Sequence, residues 1–271
     1  MLSSSNFDNI VVQVARENLG RMLAKQDLLN QKYVEMLKNK RTIIAPVPKT
    51  SIPIAEGYMN EIAERGLHVR QQNFLIPLSA DRTFINDYAC ASKAESISEK
   101  FAMRKEIVGD LYVILIDDSI VRGNTSKELI SYIRGFGGAA EIHMRSASPP
   151  IISFCHTGIN MKTLQELIAA RILMKLNLDN RENKEYNLTS ELLFNEIGKE
   201  IGADSLVYQT IDGLIKAVSD AYIGNKKIHS EKSFCTSCFT GKYMEKSAQE
   251  EYYKQHSKLE ETLLNAAQNN K

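Results

Sequence analysis

Four consecutive apolar residues, Val113-Ile114-Leu115-Ile116, run directly into Asp117-Asp118-Ser119-Ile120-Val121-Arg122-Gly123-Asn124-Thr125-Ser126, and this stretch constrains the fold of the chain most. Three of the four apolar residues are β-branched, which fits a strand buried on both faces, the condition of a parallel sheet with helices on each side. The acidic pair then emerges at the carboxyl end of the strand, and in open α/β sheets ligands sit at that end. A helix beginning after Gly123 offers unpaired backbone N–H groups and the positive end of its dipole. Thr125 and Ser126 add hydroxyl donors. A sugar phosphate fits these parts: Asp117 and Asp118 accept from vicinal ribose hydroxyls, Gly123 to Ser126 wrap a 5′-phosphate, and a divalent ion sits between the carboxylates and a diphosphate. A plainer reading stands beside it. Adjacent Asp residues followed by Ser and Gly also make a turn and a helix cap, because short polar side chains hydrogen-bond the local backbone.

The remaining chain alternates helix and strand as a doubly wound α/β sheet requires. Residues 8–39 read as mainly helical, 42–47 as a strand, 52–65 as a helix and 67–76 as one or two strands. Residues 80–105 read as an irregular mobile loop, 111–117 as the central strand, 124–136 as its helix and 140–146 as another strand. Gly135, Gly137 and Gly138 mark the helix exit. Helices dominate from 163 to 224, with a short strand near Ser205 to Tyr208. The expected organisation is one catalytic domain over residues 1–243, followed by a polar tail, 244–271, that reads as a solvated helix or partly disordered.

Composition narrows the partners. The 34 Lys and Arg nearly balance the 33 Asp and Glu, so no global field draws the chain to nucleic acid or an anionic membrane, and any anion site must be local. No apolar run approaches the roughly 20 residues needed to span a bilayer, and the first residues lack a basic-then-apolar secretory pattern. The chain reads as cytoplasmic. Its four cysteines are too few and too irregularly spaced for a disulfide scaffold, which leaves reduced thiols or a metal.

The string Asp117-Asp118-Ser119-Ile120-Val121-Arg122-Gly123-Asn124-Thr125 resembles the signature for 5-phosphoribosyl 1-diphosphate (PRPP) in type I phosphoribosyltransferases, and its wording is similar to that of the amidophosphoribosyltransferase family. Other segments follow in that family's order. Val14 to Gly20 resembles its entry helix, and Ile44-Ala45-Pro46-Val47-Pro48 with Thr50-Ser51 resembles its diphosphate loop. Arg82-Thr83-Phe84-Ile85 matches the anchor of its mobile loop, while Ala147 to Ile151, Glu166 to Ala169, Ile201 to Leu206 and Cys235 to Tyr243 continue the likeness. The resemblance covers roughly residues 10–243.

The resemblance implies a type I phosphoribosyltransferase fold and transfer of the phosphoribosyl group of PRPP, with Mg2+, to ammonia as in the first step of purine synthesis. It implies that Asp117 and Asp118 hold the ribose hydroxyls and the Mg2+, and that Ser119, Arg122, Gly123, Asn124, Thr125 and Ser126 hold the 5′-phosphate. Lys49, Thr50 and Ser51 form the diphosphate loop, and Arg82 and Lys100 close over the substrate from the mobile loop. Cys155, Cys235 and Cys238 match three ligand positions of a [4Fe–4S] cluster found in some members; the fourth position lies upstream of residue 1, and Cys90 falls in the expected mobile loop. Three thiols can equally pack as small apolar groups.

Departures from the family pattern are also expectations. The glutamine-hydrolysing domain that begins family enzymes is not in this sequence, so ammonia is expected free or from a separate glutaminase subunit. Lys49 replaces the family's acidic residue, Pro77-Leu78-Ser79-Ala80 replaces a basic stretch, and Ser98 stands where the family has an arginine. Two alternatives follow: a phosphoribosyltransferase with a different nucleophile, or a non-catalytic protein that binds PRPP or a nucleotide. Family precedent adds self-association into a homo-oligomer.

Overall fold

In this computed structural model, residues 5–78, 97–179, 191–224 and 234–269 are described. The chain opens with a small antiparallel hairpin, β1 (Asn6–Phe7) and β2 (Ile10–Val11), which leads into α1 (Val12–Asp27) and α2 (Gln31–Asn39). The Asn30 side chain caps α2, accepting from the N–H of Lys32 at 3.0 Å and of Tyr33 at 3.3 Å. β3 (Thr42–Pro46), α3 (Ile52–Glu64) and β4 (Arg70–Gln71) follow. Next come β5 (Leu75–Pro77), α4 (Ile97–Lys100), β6 (Phe101–Met103) and α5 (Lys105–Val108). The central unit is β7 (Tyr112–Asp117), α6 (Asn124–Gly135) and β8 (Glu141–Ser146). The C-terminal half holds α7 (Ile168–Asp179), α8 (Glu191–Ile201), β9 (Ser205–Tyr208), α9 (Ile211–Ser219), α10 (Ser237–Thr240) and α11 (Lys246–Asn269).

Five strands form one sheet in the order β4-β3-β7-β8-β9, and every neighbouring pair is parallel. β7 lies in its middle. Val113 and Leu115 enter one apolar core with α6, α7 and α8, whereas Ile114 and Ile116 enter a second core with α1, α2 and α3. All four side chains are fully buried, so the uninterrupted apolar run is explained by helices on both faces of the sheet. The register sets Asp117 beside Ser146 and Ile116 beside Pro46, which fixes where the acidic pair leaves the sheet.

On the second face α1 and α3 cross with almost no side chain between them. A Cβ built on Gly20 would lie 1.9 Å from the Ile54 carbonyl oxygen, and one on Gly57 would lie 1.9 Å from that of Glu17. Both contacts are to backbone, so the helices themselves would have to part. Gly20→Ala is therefore expected to destabilise the fold by about 3 kcal/mol, at the upper end of the usual cost of overpacking. Urea denaturation measures it, and an unchanged midpoint would mean that the helices separate freely.

Three sequence expectations need correction. Residues 8–11, read as the start of a mainly helical stretch, instead complete the β1–β2 hairpin with Asn6 and Phe7, because Asp8 and Asn9 both take positive φ and reverse the chain within two residues. The expected mobile loop ends early: α4 and β6 occupy its C-terminal part, with β6 pairing antiparallel to β5 and Ile97 buried in the first core. The polar tail is not solvated throughout. Leu259 of α11 is 2% exposed in a third core with Ile151, Leu164, Leu167 and Met174, where Tyr252 and Leu263 join it. Gln255 of the same helix accepts from the Leu164 N–H and donates to the Lys162 carbonyl, both at 3.1 Å.

Candidate active site

The parallel sheet brings the β3–α3 and β7–α6 connections to the same end. Ser51, fully buried at the start of α3, donates from its hydroxyl to Asp117 Oδ1 at 3.4 Å, which joins the expected diphosphate loop to the acidic pair. The Asp118 N–H donates to the same oxygen at 2.9 Å. Burial is the larger cause that pushes the Asp117 carboxyl up to about 8, and the neighbouring Asp118 carboxylate is the next. Lys49 is exposed and Thr50 half-buried, and the Pro48–Lys49 peptide is cis.

Beyond the acids the chain turns into α6 through Gly123, whose φ of +83° is open to glycine at little cost. A Cβ there would also stand 2.5 Å from Ile168 Cδ1. Asn124 and Thr125 are exposed and Ser126 is buried, and no side chain caps the helix among the described residues. The first turn thus presents N–H groups and the helix dipole to an anion. Ser119 lies half-buried between the acids and this turn. Arg122 is directed elsewhere, to Glu166, with Nε and Nη2 donating at 2.9 and 2.6 Å.

Lys100 stands at the end of α4, where its carbonyl accepts from the Leu78 N–H at 2.9 Å; among the described residues it makes no hydrogen bond or ion pair with Asp117 or Asp118. Arg82 and Cys90 lie outside the described residues. Glu166 is the residue that sequence reasoning did not single out as part of the site. Its partner lies 44 positions away, and the only local signal was Thr163 three residues earlier, a capping-box spacing that the structure forms.

Two implied groups can be tested against these residues. Mg2+ takes oxygen ligands, usually one or two carboxylates with substrate phosphates, and Asp117 and Asp118 provide that donor set. For a [4Fe–4S] cluster, three of the four thiolates it wants lie among the described residues. Cys155, Cys235 and Cys238 are free thiols, and no group of three His, Cys, Asp or Glu is placed to hold a metal ion among the described residues. Burial is the first cause that pushes the Cys238 thiol up to about 12, and the neighbouring Cys155 and Cys235 are the next, so the three thiols stand near one another.

A parallel five-stranded sheet with an acidic pair and a phosphate-sized turn at its carboxyl end defines a type I phosphoribosyltransferase fold. No protein-family model matches the chain. It is 33% identical over 242 residues to the amidophosphoribosyltransferase of Bacillus subtilis, covering 88% of this chain and 42% of that protein. The enzyme of Archaeoglobus fulgidus is 32% identical over 239 residues, with 88% and 43% covered. The structure of the glutamine PRPP amidotransferase of B. subtilis complexed with ADP and GMP superposes with a TM-score of 0.62 at 30% identity, covering 90% of this chain and 44% of that one. The chain is a phosphoribosyltransferase domain related to the amidophosphoribosyltransferases, and it spans less than half the length of the curated relatives it matches.

Proposed function

We propose that the chain transfers the phosphoribosyl group of PRPP to ammonia, giving 5-phosphoribosylamine, diphosphate and a proton. The new bond joins nitrogen to the anomeric carbon as the bond from that carbon to the diphosphate oxygen breaks, with inversion. The observation that carries this reading is the contact of Ser51 with Asp117, which unites the diphosphate loop and the ribose-binding acids beside the open first turn of α6. Asp117 and Asp118 hold the ribose hydroxyls, Ser119 and Gly123 to Ser126 hold the 5′-phosphate, and Lys49, Thr50 and Ser51 face the diphosphate. Asp117 and Asp118 would hold a Mg2+ ion, which when bound would supply neutralisation of the departing charge. The protein contributes position and electrostatics, so no side-chain nucleophile is required. By the family resemblance alone, Arg82 and Lys100 would add positive charge around the diphosphate. The reaction belongs to purine synthesis in the cytoplasm, with ammonia free or delivered by a glutaminase polypeptide and with copies of the chain self-associating.

A second reading, transfer to another nucleophile, is favoured by the exposed Lys49 in the diphosphate loop, which alters the charge around the leaving group. The test is diphosphate release from PRPP with Mg2+, with and without ammonium. Ammonium-dependent release supports the aminating reaction, and release only with other amines or bases supports the second. Calorimetric PRPP binding with no turnover in either case would make the chain a binding protein.

A further inference from the structure

The loop that joins the acidic pair to α6 is clasped from outside by a single carboxylate. Glu166 Oε2 accepts from Arg122 Nε and Nη2, and Nη2 also donates to the Asn160 carbonyl at 3.3 Å. Glu166 Oε1 accepts from the N–H groups of Lys162 at 2.7 Å and Thr163 at 3.0 Å. Both oxygens are thus used, one for the loop and one for the segment 160–166. Burial pushes the Glu166 carboxyl up, but the Thr163 N–H, the Arg122 guanidinium and the Lys162 N–H outweigh it and hold the group below the usual carboxylate range. Two residues on, the Ile168 N–H donates to the Val121 carbonyl at 3.0 Å and the Ile168 side chain closes over Gly123. Residues 121–123 are therefore held at both ends by Ile168 and in the middle by Glu166.

An isolated ion pair at a half-exposed position contributes little, because solvent screens it and two long side chains must be ordered. This one differs in geometry. Its guanidinium bonds are paired on one oxygen, its carboxylate is immobilised by two backbone donors, and Gln255 of α11 ties the same 162–164 segment down. Resting on the phosphoribosyl reading above, we propose that Glu166 is a positioning residue for the 5′-phosphate. Through Arg122 it fixes the 121–123 loop so that the N–H groups of the first α6 turn are aimed before substrate arrives, and Arg122 acts through this clasp without touching the phosphate. Donors aimed in advance need no reorganisation on binding, so the clasp should govern affinity for PRPP more than the rate of bond breaking.

The experiment compares the wild-type chain with Glu166→Gln, Glu166→Asp, Arg122→Met and the Glu166→Gln/Arg122→Met pair. Hydrogen exchange of the 119–127 segment without ligand is expected to quicken about tenfold in Glu166→Gln while β7 stays protected. The KM for PRPP is expected to rise about tenfold with kcat within about twofold, as for loss of an interaction felt equally in ground and transition states. Glu166→Asp should restore part of it, and the double variant should be no worse than either single one. Unchanged exchange in the loop overturns the clasp, and a loosened loop with unchanged KM overturns its positioning role. If wild type neither binds nor turns over PRPP, the phosphoribosyl reading fails, and exchange alone decides the clasp.

Discussion

If the chain transfers the phosphoribosyl group as proposed, Asp117→Asn combined with Asp118→Asn is expected to reduce diphosphate release from PRPP by about a thousandfold or more, in line with removal of preorganised charge from a reacting centre. The same change is expected to make the protein more stable at pH 8. The two effects have one cause. Asp117 is half-buried beside Asp118, desolvation and that neighbour push its carboxyl from 3.8 to about 8, and the folded state therefore disfavours the charged form. Each unit of such a shift corresponds to about 1.4 kcal/mol. Because the folded protein holds this proton more tightly than the unfolded chain, the stability it contributes is full below pH 3.8 and is lost as pH rises through about 8. Asparagine keeps an Oδ1 acceptor for the Asp118 N–H and the Ser51 hydroxyl but has no charge to bury. With the shift discounted for the shared site, a gain of about 2 kcal/mol, or about 4–8 °C in Tm, is expected at pH 8 and little at pH 4. Thermal melts across that pH range, paired with the diphosphate assay, check both. A variant that keeps full turnover would return the pair to the plainer role of shaping a turn.

What could be read in the sequence divides by the range of the interaction. β7, β3, α3 and α6 were legible because each carries its signal within its own residues. In β7 an apolar run long enough for burial on both faces is followed at once by acids and glycine. The β1–β2 hairpin carries too little: strands of two residues have no period to detect, and the turn rests on positive φ at Asp8 and Asn9. α11 was legible as a helix, but its buried stripe is thin among many charges, so its docking through Leu259 was hidden. The site shows the same division. The acids and the glycine turn are contiguous in the chain, whereas Arg122 finds Glu166 44 residues on; away from the site, Asp27 finds Arg145 118 residues on. β8 misleads in a further way. Its alternation of Ile142 and Met144 with His143 and Arg145 suggests one face in water, yet all four are buried.

Arg145 supplies the other large effect. Its side chain, 2% exposed, donates from Nε to Asp27 Oδ2 at 2.6 Å, and from Nη1 to the Met144 carbonyl at 2.9 Å and the Ser205 hydroxyl at 3.0 Å. Its guanidinium lies 5.1 Å from the Tyr33 ring centroid, and the Tyr58 hydroxyl donates to the same Asp27 oxygen. Arg145→Met keeps much of the volume but leaves the Asp27 carboxylate buried without its cation, so a loss of about 3–5 kcal/mol is expected. For a chain of this size that lowers Tm by about 6–20 °C. Removing both charges should be milder than removing one, because a buried ion pair is costly to desolvate and apolar replacements of similar shape are often neutral. Asp27→Leu with Arg145→Met should therefore recover more than half of the loss. Recovery stays incomplete because Tyr58 then has only the Tyr33 hydroxyl as partner, whereas Ser205 keeps His143 Nδ1 at 2.9 Å. Urea unfolding of the two single variants and the double closes the cycle. A double variant as unstable as Arg145→Met alone would show that this ion pair, and not merely its filled volume, holds α1 against β8.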